Sequence, residues 1–118
     1  MYIKFIDSEN GSKLLRFFVN HSGVQWYIKR GIDEVIELVK SLAKTYHTAD
    51  FFKTNTYRRF IKIKEDQNAG GVSLNDLISK VMMELTSLYV IRKDAQFKEM
   101  FEVDLHMRDE NIPVNPLG

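Results

Sequence analysis

The sequence predicts an α+β fold, and three observations carry that reading. Three short runs near the N-terminus alternate apolar and polar residues with period two. Two longer segments carry apolar residues at helical spacing. Gly, Asn and Ser cluster between these blocks, where turns need them. Helices following a run of strands imply a mainly antiparallel sheet, here a three-stranded meander plus a fourth strand, with two main helices packed on one face.

The first strand is "YIKFI". "DSENGS" follows, and its Asn10-Gly11 pair suits a tight turn that needs positive φ. The second strand, "KLLRFFV", places Leu15, Phe17 and Val19 on one face and Leu14, Arg16 and Phe18 on the other. After the turn "NHSG", the third strand "VQWYIKR" places Val24, Trp26 and Ile28 opposite Gln25, Tyr27 and Lys29.

Gly31 closes the meander and a helix follows. In "IDEVIELVKSLAKTYH", Ile32, Val35, Ile36, Val39, Leu42, Ala43 and Tyr46 form one stripe. Asp33, Glu34 and Glu37 near its start and Lys40, Lys44 and His47 near its end complement the helix dipole. "TADFFKTN" connects to "TYRRFIKIK", which reads as the fourth strand, residues 57–64, because aromatic and β-branched residues are interleaved with bases. "EDQNAGG" is a loop. Ser73, with Asp76 three residues on, is the expected cap of the second long helix. That helix carries Leu74, Leu77, Ile78, Val81, Leu85 and Leu88 on its stripe. "RKDAQFKEMFEV" has helical spacing at Phe97, Met100 and Phe101, and "VDLHM" suits either a continuing helix or a closing strand. Residues 1–110 form one domain, and 111–118, with two prolines, form an irregular tail.

Composition narrows the function. The chain has 118 residues and no cysteine, which excludes disulfides, thiolate metal sites and cysteine nucleophiles. No apolar run approaches the ~20 residues that span a bilayer, so no membrane partner is expected. Asp7 and Glu9 interrupt the N-terminus before a signal-peptide core could form, so the expected location is cytoplasmic. The formal net charge is +1, too small for a global field towards nucleic acid. Charge is local instead. Lys53, Arg58, Arg59, Lys62 and Lys64 cluster without an acid among them, while Glu99, Glu102, Asp104, Asp109 and Glu110 cluster near the C-terminus. These two stretches are expected to pair with each other, to bind oppositely charged partners, or to stay solvated.

Three functional readings follow. The first is a non-enzymatic protein–protein interaction or regulatory module of the inhibitor, immunity or modulator kind, with a second copy of the chain among its candidate partners. Its warrant is a surplus of apolar side chains over what one sheet face needs, with Phe18, Tyr27, Met83, Met100 and Phe101 as the interface residues. The second is a nucleic-acid-binding module. On a strand, Arg58, Phe60, Lys62 and Lys64 would share the outward face, with Lys53 at its edge, placing a stacking ring among phosphate-binding cations. The third is a small nuclease-like enzyme using His21 or His47 with Arg58 and Arg59. No G-x-S-x-G, P-loop or G-x-G-x-x-G motif frames a catalytic residue. No His pair has metal-ligand spacing, and neither a metal nor a cofactor is expected.

Overall fold

The computed structural model describes residues 1–9, 11, 13–63 and 72–111, with the side chains of 72, 73 and 108–111 excepted. Its strands are β1 (Tyr2–Glu9), β2 (Leu14–His21) and β3 (Val24–Gly31), in the order β1-β2-β3 and antiparallel throughout. Ser22 and Gly23 turn the β2–β3 hairpin with φ of 52° and 86°, the positive angles that match strand twist in a two-residue turn. Phe5 pairs with Phe17, but the next pair is Asp7 with Arg16, so β1 bulges at Ile6. That bulge turns Ile6 and Asp7 outward together and spoils the edge of β1 as a template for another strand.

The alternation read from the sequence sets the two faces. Ile3, Phe5, Leu15, Phe17, Val19, Trp26 and Ile28 are all buried on the inner face. α1 (Ile32–Thr45) lies against β3 and α3 (Val72–Thr86) along β1. Glu34 begins α1 by accepting the Gly31 N–H at 2.7 Å, satisfying one of the amides that a helix start leaves unpaired. The backbone of α3 is helical from Val72, one residue before the expected cap; the Ser73 side chain and residues 64–71, which include the expected loop, lie outside the described residues. So do residues 112–118 of the expected tail.

The expected fourth strand is a helix, α2 (Asn55–Ile61), preceded by a short 3-10 turn at Asp50–Lys53. Thr54 caps it, its hydroxyl oxygen accepting the Tyr57 N–H at 3.3 Å. Helical winding puts Phe60 and Ile63 into the core, while Phe51 and Phe52 meet the Tyr57 ring at 6.1 and 5.4 Å. A strand would bury Ile61 and Ile63 and expose Phe60. Helix and 3-10 turn bury three phenylalanines instead, and that burial outweighs the weak β preference of the segment.

After α3 the chain forms α4 (Tyr89–Arg92), α5 (Ala95–Met100) and α6 (Val103–Asn111), so "VDLHM" belongs to a helix and not to a closing strand. Between α5 and α6, Glu102 adopts φ of 59°, a costly angle for a side chain with a Cβ. β3 holds it there. The Trp26 indole N–H donates to Phe101 O at 2.9 Å, and Arg30 donates to Met100 O at 3.0 Å and to Glu102 Oε2 at 2.9 Å. His106 stacks on Trp26 at 4.4 Å and meets Glu102 Oε1 at 3.1 Å. The acidic stretch therefore does not pair with the basic one among the described residues. Glu102 pairs with Arg30 and His106, and Asp104 with Lys98 at 3.8 Å.

Two outcomes test this architecture. Phe60→Ala should cost about 3–5 kcal/mol in urea unfolding, as for a buried aromatic; a near-neutral effect would return residue 60 to the surface. The Arg30 hydrogen bond, opposed by burial and aided by His106, lowers the Glu102 pKa from its ordinary 4.5. A carboxyl depressed in the folded state stabilises above its unfolded pKa and loses that contribution as pH falls through the folded one. The stability that wild-type protein loses below about pH 4.5 should therefore shrink in Glu102→Gln, seen as urea midpoints that fall less steeply with acid.

Candidate functional site

The outer face of the sheet is where side chains with recognition chemistry gather. β1 contributes Tyr2, Lys4, Ile6, Asp7 and Glu9, β2 contributes Leu14, Arg16, Phe18 and Asn20, and β3 contributes Gln25, Tyr27 and Lys29. Phe18 lies opposite Tyr27 in the β2–β3 register, with ring centroids 5.3 Å apart. On its other side Phe18 meets Tyr2 edge-on at 6.5 Å. An aromatic row thus crosses all three strands. Tyr27 is 72% exposed and Tyr2 55%, so among the described residues no helix covers the row.

The other end of this face is charged but internally balanced. Arg16 grips Asp7 through two hydrogen bonds of 2.5 Å, and Lys29 meets Glu9 at 3.2 Å. The hydrogen bond from Arg16 holds the Asp7 carboxyl below its ordinary pKa, and the same bond raises Arg16 above its own. Between the two ends lies a shallow hollow lined by Ile6, Arg16, Tyr27 and Lys29. The surface offers rings, an aliphatic floor and both signs of charge.

Of the interface residues expected from the sequence, Phe18 and Tyr27 meet on this face. Met83 stands apart on α3, 66% exposed. Met100 is half-buried against the core. Phe101 is fully buried, edge-on to Phe17 at 5.5 Å and close to Phe97 at 4.9 Å, which removes it from any surface. Tyr2 and Ile6 were missed, although "YIKFI" alternates them against Ile3 and Phe5 and so carried the signal.

The expected basic platform is not assembled. Phe60 is 0% exposed, so its ring does not stand among the cations. Lys53, Arg58 and Lys62 are exposed around α2, and Arg58 donates to Lys53 O at 3.0 Å. Lys64 lies outside the described residues. The histidines are dispersed: His21 ends β2, His47 follows α1, and His106 lies on Trp26. Among the described residues no three His, Asp or Glu side chains are placed to hold a metal ion, and no helix is long and apolar enough to cross a membrane.

The arrangement defines an α+β domain with one open, aromatic sheet face. The chain matches no known protein-family model, no characterised protein and no solved structure.

Proposed function

We propose that this chain is a non-enzymatic interaction module of regulatory type that binds a second copy of itself through the open face of its sheet. The observation that carries the reading is the uncovered aromatic row Tyr2–Phe18–Tyr27. Large exposed rings on a flat surface lose little side-chain entropy on binding and bury much apolar area, which is why aromatics mark interface centres. An isologous pair brings like patches together, and this face tolerates that because Asp7 with Arg16 and Glu9 with Lys29 balance their charges within each copy. The bulged β1 edge favours face-to-face packing over strand addition.

Rows of rings on a sheet also stack the bases of single-stranded RNA. Charge favours the protein partner. Arg16 and Lys29 are already engaged by acids, which leaves Lys4 as the cation of this face outside those pairs.

Sedimentation equilibrium tests the proposal. Wild-type protein should dimerise with rising concentration, whereas Tyr27→Asp should remain monomeric with an unchanged circular dichroism spectrum. Met83→Asp, on a separate surface, should dimerise as wild type does. A wild-type chain monomeric at every concentration would overturn the reading. Labelled single-stranded RNA that binds with a steep salt dependence and is lost in Tyr27→Ala would replace it with the nucleic-acid one.

A further inference from the structure

We propose that a second surface, the cleft where the β2–β3 hairpin end meets α4, α5 and α6, binds a small anion carrying a phosphate group. The cleft is independent of the open sheet face. It is lined by His21, Tyr89, Arg92, Lys93, Lys98 and Asp104, which converge from four separate segments of the chain. Among its side chains, three cations against one carboxylate leave an excess of two positive charges here, in a chain whose net charge is +1. Like charges brought together in a concave surface repel, and a bound anion relieves that repulsion.

The geometry favours phosphate. Arg92 Cζ lies 5.7 Å and Lys93 Nζ 5.0 Å from the centroid of the Tyr89 ring, which is 62% exposed and holds both cations on one surface. Arg92 Nη1 donates to Thr86 O at 2.7 Å, which fixes the guanidinium and leaves further N–H groups to offer a ligand. Lys98 is only loosely held, 3.8 Å from an Asp104 that is itself largely exposed. On the hairpin side, His21 Nδ1 is shielded from solvent and has no hydrogen-bond partner among the described residues. One guanidinium fork with two ammonium groups, one just after α4 and one on α5, matches the several acceptor oxygens of a phosphate group. A single carboxylate would offset only half of the charge excess.

Amide-resolved NMR titration of the full chain with inorganic pyrophosphate, at constant ionic strength, tests this. Shifts should saturate, and they should cluster at His21 and along residues 89–98. Lys93→Ala/Lys98→Ala, whose side chains reach solvent and whose spectrum should keep the wild-type dispersion, should weaken binding by at least about tenfold. Arg58→Ala/Lys62→Ala, on α2, should bind as wild type does. Shifts scattered over every basic residue, equal weakening by the α2 variant, or citrate binding as tightly as pyrophosphate would each overturn the assignment.

Discussion

A three-stranded meander has two faces, and the described residues of this chain supply apolar cover for one. Leu15, Phe17 and Val19 at the centre of the inner face are completely buried, and each such side chain contributes about 1.5–3 kcal/mol relative to exposure. Helices gather over that face because nothing else can hide it. The outer face is left to solvent or to a partner. Its aromatic row and its balanced charges follow from the same period-two alternation that builds the core.

How the helices are held bears on the second surface. Hydrophobic burial draws α5 and α6 to the sheet without fixing their angle. The fixing comes from Trp26 and Arg30, which take the carbonyls of Phe101 and Met100 as acceptors and pin Glu102 in its left-handed conformation. That reversal sets the direction of α6 and brings Asp104 near Lys98 beside the hairpin end. A polar latch on one strand therefore shapes a cleft formed mostly by helices.

Much of this was legible in the sequence. The meander, the two faces of β2 and β3, and most of the stripes of α1 and α3 follow from periodicity. Leu88, expected on the second long helix, lies beyond its end at Thr86 and stands at the N-cap of α4. The segment of α2 reads as a strand because Tyr57, Ile61 and Ile63 fit an alternating period, while Tyr57, Phe60 and Ile61 fit a helical one. What decides is Thr54 as a cap and the neighbouring Phe51 and Phe52, and so tertiary burial overrides local propensity. Phe101 looked like surplus apolar surface because nothing local announces its partner Phe17. The latch was invisible for the same reason, since its Trp26–Phe101 bond joins residues 75 apart. The cations of the cleft were each visible, but their meeting with His21 depends on that fold.

The central claim is that the open sheet face is where a second copy docks. The most direct measurement is the exposure of ring protons to a soluble paramagnetic agent, followed by NMR over a range of protein concentrations. The account predicts that the Tyr2 and Tyr27 rings lose their exposure as concentration rises, while the Met83 methyl group stays exposed. Tyrosine rings that remain equally exposed while the protein self-associates, or protection that appears at Met83 instead, would contradict it.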